Sequence, residues 1–224
     1  MNYIFILLEV CLVYFLMFLF YKIWKKDGLL LYIGVMASIL CFVMFKNIDI
    51  ISFPVDMGIP VVMGIFTCSN IIIQRYGNDE TIKIVRNFGI SFMAISVILS
   101  LFTLVNVSEN NLVDGNSYDY LFGYSLINLR IIVSYLISIG VLLWYNSYVY
   151  YFLRKNDNKL IFSNIGTIFV IQFIESIIFV FISYFGLYEF NTILGMIAIR
   201  YLLKIIIGIM GLIPVTMIMR FKEK

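Results

Sequence analysis

Residues 161–187 read IFSNIGTIFVIQFIESIIFVFISYFGL. This run is long enough to cross a hydrocarbon core of roughly 30 Å as a helix. It holds one charged residue, Glu175, near its middle. Gln172 precedes the acid by three residues and Ser176 follows it. Extending the same face backward reaches Ile168 and Asn164, so the polar groups form one stripe at helical spacing. A carboxylate at that depth costs roughly 2.5–3.5 kcal/mol on insertion scales, so it is expected to face a bundle interior and to have a partner.

The partner is sought in the next apolar run, 192–219. Arg200 and Lys204 stand four residues apart there and share a face. Counting 1.5 Å per residue from the connecting loop puts Glu175 roughly 18 Å deep, with Lys204 at a similar depth and Arg200 about a turn shallower. A Glu175–Lys204 pair is therefore expected, either as a packing device or as part of a site.

Working outward, further apolar runs occupy 3–21, 29–45, 55–73, 88–104 and 129–152. Helices are expected throughout, because backbone in lipid must satisfy its own hydrogen bonds. None of the runs alternates as a barrel strand would. The expected fold is an all-α polytopic membrane helix bundle of about seven transmembrane helices. Residues 1–224 form one domain on this reading. The first run is read as a span and not as a secretory leader, since its first basic residue, Lys22, follows it.

Charges supply an orientation. Lys22, Lys25, Lys26, Arg75, Lys83, Arg86, Arg154, Lys155, Lys159, Arg220, Lys222 and Lys224 fall on one side, which is 12 of the 16 basic residues. The opposite loops carry Asp49, Glu109, Asp114, Asp119 and Glu189. The positive-inside rule then places the N-terminus outside and the C-terminus cytoplasmic. The loop at 105–128 faces outward, as a partial lid or as an ordinary solvated connection.

Composition agrees and excludes several chemistries. The chain is 62% hydrophobic and 13% charged, against about a quarter charged in soluble domains. Its mean hydropathy is +1.01. Histidine is absent, which removes His-dependent hydrolysis, HExxH zinc chemistry and haem ligation by His. Cys11, Cys41 and Cys68 lie inside apolar runs and form no CxxC pair, so they read as small buried hydrophobes. No cofactor, no enzymatic activity and no nucleic-acid partner are expected.

Other polar groups complete the picture. Thr67, Asn70 and Gln74 recur at three and four residues in the third run, and Asn146 lies near the inner end of the fifth. Such amides either glue helices together or touch a ligand. Pro60, with Gly58 and Gly64 nearby, predicts a kinked or opened helix. Glu9 and Asp56 lie closer to the outer surface and are expected to reach water. The stripe suits a flat polar ligand rich in donors, since a carboxylate accepts two parallel N–H bonds and amides serve the rest of a ring. Carriage of such a molecule across the membrane is the expected function.

Several motifs then carry a resemblance. Lys26–Leu30 followed by Lys46 fits a GL…K opening. Ser69-Asn70-Ile71-Ile72-Ile73-Gln74-Arg75-Tyr76-Gly77 fits T-D-x-x-x-E-x-Y-G. Arg130-Ile131 with Asn146 fits R-I…D/N. Gln172-Phe173-Ile174-Glu175-Ser176 fits Q-x-x-D-[ST], and Lys204 with Pro214 fits a closing K…P. In these the chain, from about Lys25 onward, resembles the queuosine precursor transporter family, also called the vitamin uptake transporter (VUT) family. It departs from the pattern at Asn70, Gln74 and Asn146, where the family has carboxylates, and at Cys41 and Leu143, where it has amides. Amides of the same shape thus replace three titratable groups.

The resemblance implies a multi-pass importer in the bacterial cytoplasmic membrane. Its substrate would be a small heterocycle, a 7-deazaguanine such as preQ0, preQ1 or queuine. The implied substrate-binding residues are Glu175, Gln172, Asn70, Gln74, Lys204 and Asn146. Lipid and, as an assembly state, a homodimer are the expected partners. Rival readings are a substrate-binding subunit of an ATP-driven importer, a seven-helix receptor and an intramembrane enzyme.

Overall fold

The computed structural model describes residues 2–104, 122–123, 125–155 and 160–221. The outward loop expected at 105–128 lies for most of its length outside them. The helices are α1 (Asn2–Val43), α2 (Ile59–Tyr76), α3 (Thr81–Phe102), α4 (Leu126–Lys155), α5 (Leu160–Tyr184), α6 (Phe190–Met210) and α7 (Leu212–Arg220). Two short strands, β1 (Asn47–Ile50) and β2 (Phe53–Asp56), stand between α1 and α2. Among the described residues six helical stretches are long and apolar enough to cross a membrane, the last combining α6 and α7.

The first of these is folded back on itself. Lys25 has φ 52° and ψ −124°, which breaks the helix. The Tyr32 hydroxyl donates to the Val13 carbonyl at 3.1 Å. In an unbroken helix those residues would be about 28 Å apart along the axis. The Phe20 and Tyr32 rings meet edge to face at 6.0 Å. Gly28 makes the reversal feasible, because a Cβ there would lie 2.1 Å from the Phe20 carbonyl oxygen. The runs at 3–21 and 29–45 are therefore two halves packed side by side.

The axis of the bundle is α2. Residues Ile59 to Ile73 are all buried, whereas the other long helices hide less than half of their most apolar window. This helix is also the least hydropathic of the six. Both facts follow from one cause: a helix surrounded by protein can carry Thr67, Ser69 and Asn70 inward without exposing them to lipid. The outer helices show the converse. Phe5, Leu12, Ile90, Leu101, Phe169 and Leu202 are exposed on their outer faces, as expected of surfaces solvated by acyl chains.

Two sequence expectations fail around residues 47–60. The helix expected from residue 55 begins only at Ile59, because Val55 and Asp56 belong to a hairpin in which Asn47–Ile50 and Phe53–Asp56 pair antiparallel. Ile51 and Ser52 turn it with φ of 50° and 67°, the two left-handed residues of a primed two-residue turn. The pairing satisfies the backbone internally, and Met57 N–H donates to the Lys46 carbonyl at 2.9 Å to close its base. Pro60 does not kink a helix. It sits in the first turn of α2, where the missing N–H has no partner to lose.

The hairpin is seated on the helices by side chains. Tyr184 donates to Asn47 Oδ1 at 3.3 Å, and the Phe53 ring lies against Gly195 of α6. A Cβ at Gly195 would meet that ring at 2.0 Å. Gly195→Ala is expected to cost about 1–3 kcal/mol through overpacking, read as a lower melting temperature in detergent. Phe53→Leu in the same chain should recover most of the loss. An unchanged melting temperature for the single variant would show that the contact is not tight.

Candidate functional site

The polar stripe of α5 points inward. Asn164, Thr167, Gln172, Glu175 and Ser176 are all buried. They divide into two layers that share one helix face.

The layer nearer the hairpin is ionic. Lys204 on α6 pairs with Glu175 Oε2, and Arg200 Nη2 reaches Glu175 Oε1 at 3.2 Å. Arg200 Nη1 pairs with Asp56 Oδ2 at the end of β2. Asp56 Oδ1 accepts from the Tyr135 hydroxyl of α4 and, at 3.1 Å, from Gly58 N–H. Ser138 donates to Glu175 Oε1 at 3.3 Å. The Arg200 guanidinium stacks 3.8 Å from the Phe179 ring centroid. Two carboxylates thus meet two cations, with both ion-paired side chains of α6 essentially inaccessible.

The layer farther from the hairpin is built from amides and hydroxyls. Asn146 Nδ2 of α4 donates to Asn70 Oδ1 at 2.7 Å and to Ser69 Oγ at 3.0 Å. Asn70 Nδ2 of α2 donates to Asn164 Oδ1 at 3.1 Å and to Thr167 Oγ1 at 3.3 Å. Asn164 Nδ2 donates to the Tyr150 hydroxyl at 3.4 Å, which donates to Gln74 Oε1 at 2.5 Å. Three helices are stitched together by this chain.

Beside the amides lies a small cavity of about 10 Å³, room for little more than one water. Asn70, Asn146, Asn164, Thr167 and Gln172 supply its polar wall, and Met63, Phe66, Ile168 and Val215 part of its apolar one. Gln172 is 1% exposed, yet its Oε1 has no hydrogen-bond partner among the described residues. Leaving a buried acceptor unmet costs on the order of 1–3 kcal/mol, and the space beside this oxygen admits about one water as a donor.

The structure thus distributes the six residues singled out from the sequence. Gln172, Asn70 and Asn146 meet at the cavity. Glu175 and Lys204 stand together about one turn outward along α5, in the ionic layer. Gln74 does not line the cavity and instead ends the hydrogen-bond chain at the C-terminal end of α2. Asn164 and Thr167 complete the cavity wall. Asn164 belonged to the stripe read from α5, whereas Thr167 is identified by the hydrogen bond it accepts from Asn70.

The expectation that Asp56 reaches water needs revision. Asp56 is 4% exposed and fully engaged, because the hairpin folds it back against Arg200 and Tyr135. Glu9 is half-buried, with Oε2 shielded and without a partner among the described residues. Arg130 has a structural use. It donates to the Ile182 and Phe185 carbonyls at 3.0 and 2.8 Å, satisfying groups at the C-terminal end of α5. No group of three or more metal-ligating side chains occurs among the described residues.

Comparison with known proteins gives one finding. A family model described as "Putative vitamin uptake transporter" matches residues 56–219, the span that runs from Asp56 through both layers to α7. No curated protein and no solved structure matches the chain.

Proposed function

The chain belongs to the vitamin uptake transporter family, and on that premise we propose that it imports a queuosine precursor or a related 7-deazaguanine across the bacterial cytoplasmic membrane. The two halves of α1 count as separate spans in this reading. That gives seven crossings, with the N-terminus outside and the basic loops inside.

One observation carries the proposal. Three amides from three helices, Asn70, Asn146 and Gln172, converge on a single cavity, and an ion-paired acid on the same face of α5 stands about a turn away. Glu175 is the group that reads the donor edge of the flat ring. Lys204 compensates the carboxylate while the site is empty, so arrival of the substrate exchanges one set of donors for another. Gln74 supports the shell from below through Tyr150. Phe66 stands in the apolar wall, where it would meet the face of a heterocycle once the surrounding helices part to admit one.

The test is reconstitution of the purified chain into liposomes with labelled preQ0, preQ1 and queuine offered outside. Accumulation above that of empty liposomes, competed by unlabelled deazaguanine, is the expected result. Failure of all three to accumulate in liposomes that contain folded protein would sink the proposal.

A further inference from the structure

Arg75 and Pro214 belong to the motifs of the sequence but do not line the cavity. Both bear on α7. A cavity with room for about one water admits a ring only after some part of its wall moves. Gly208, Gly211, Leu212 and Val215 form one side of that wall, at the join where α6 ends at Met210 and α7 starts at Leu212.

The join is built as a hinge. Pro214 has no N–H, so the Met210 carbonyl, four residues back, loses its usual helix partner. The Tyr14 hydroxyl donates to the Ile207 carbonyl at 2.9 Å, in the last turn of α6. Gly211 permits that approach, since a Cβ there would lie 2.6 Å from the hydroxyl.

The far end of α7 is fastened by Arg75, at the C-terminal end of α2. Its Nη1 donates to the Ile218 carbonyl at 2.8 Å and to the Tyr21 hydroxyl, and its Nη2 donates to the Phe221 carbonyl. The Phe221 ring packs against Phe18 and Tyr21, with centroids 5.7 and 6.4 Å apart. A guanidinium on the last carbonyls of a helix is favourable, yet Arg75 is only half-buried and water can replace it. The hairpin end is tied differently, by Asp56, Glu175, Arg200 and Lys204, all buried. Breaking buried ion pairs costs more, so the Arg75 end parts first. Resting on the transport reading above, we infer that α7 is a gate on the Arg75 side of the cavity, which swings about Gly211–Pro214, and that Arg75 is the positioning residue that latches it shut.

The test is cysteine labelling of the full chain in sealed vesicles of known orientation, with no ligand added. Val215 lines the cavity and is 1% exposed. Val215→Cys is placed in a Cys11→Ser background, which leaves only the buried Cys41 and Cys68 beside it. A membrane-impermeant maleimide is offered on one face or the other. Adding Arg75→Gln is expected to speed labelling from the Arg75 face by about tenfold or more, the scale of one lost charge-assisted hydrogen bond. Labelling from the hairpin face should not change. Adding Pro214→Ala, which restores the missing N–H, should slow the reaction again. Unchanged labelling, equal acceleration from both faces (as a merely structural role would give) or a rate indifferent to Pro214→Ala overturns the inference. If Arg75→Gln fails to insert, Phe221→Ala, which removes the ring seated on Phe18 and Tyr21, is read in its place with the same outcomes. Because no ligand takes part, a failure of deazaguanine uptake in liposomes would remove the substrate reading alone.

Discussion

Arg200→Met is expected to destabilise the protein by about 3–5 kcal/mol, the usual consequence of removing one partner from a buried ion pair. Arg200 is 1% exposed and holds two carboxylates at once, Asp56 on the hairpin and Glu175 on α5. Glu175 would keep Lys204. Asp56 would keep only the Tyr135 hydroxyl and the Gly58 N–H, neither of which carries charge. Most of the loss is therefore the stranded Asp56 carboxylate. Adding Asp56→Asn should return a large part of the stability, a coupling that a double-mutant cycle reads directly. The measurement is the unfolding midpoint of purified protein in mild detergent. Additive losses in the double variant would show that the two residues do not act as a pair.

The second large effect concerns transport. Glu175→Gln alone leaves Lys204 buried without its counterion, so a loss of uptake could be blamed on folding. Glu175→Gln combined with Lys204→Met removes both charges and keeps the volume close. This double variant is expected to insert and melt near the unaltered protein, yet to lose uptake by about a hundredfold or more, equivalent to roughly 2.7 kcal/mol of lost recognition. Uptake near normal in the double variant would show that Glu175 and Lys204 only hold α5 to α6.

The two outcomes depend on how the ionic layer was assembled, and this is where the sequence was readable in part. Glu175 and Lys204 could be matched because axial depth follows from residue count, and both lie in long uninterrupted helices. Arg200 was readable as a buried cation, but not its attachment to Asp56. That contact depends on the hairpin at 47–56. Its strands are four residues each, too short for alternation to stand out among apolar residues. Azimuth was the other gap. Depth counting shows that Asn70 and Gln172 lie in the membrane interior, but not which helix each faces. The meeting of Asn70, Asn146 and Gln172 comes from the burial of α2 on all sides, a property of the packed bundle. By contrast, the fold-back at Lys25 was implicit in two apolar runs separated by Lys22, Lys25, Lys26 and Asp27.

The chain of amides has a property that no single bond in it has. Every link points the same way, from Asn146 to Asn70, to Asn164, to Tyr150, to Gln74. Turning Asn70 over would set donor against donor at Asn146 and acceptor against acceptor at Asn164. The three asparagines therefore reverse as a group. A ligand that rotates Asn146 or Asn70 at the cavity would also rotate the Tyr150 hydroxyl away from Gln74, at the opposite end of the line. Occupancy would then be signalled along the bundle by a change of polarity, with no helix having moved.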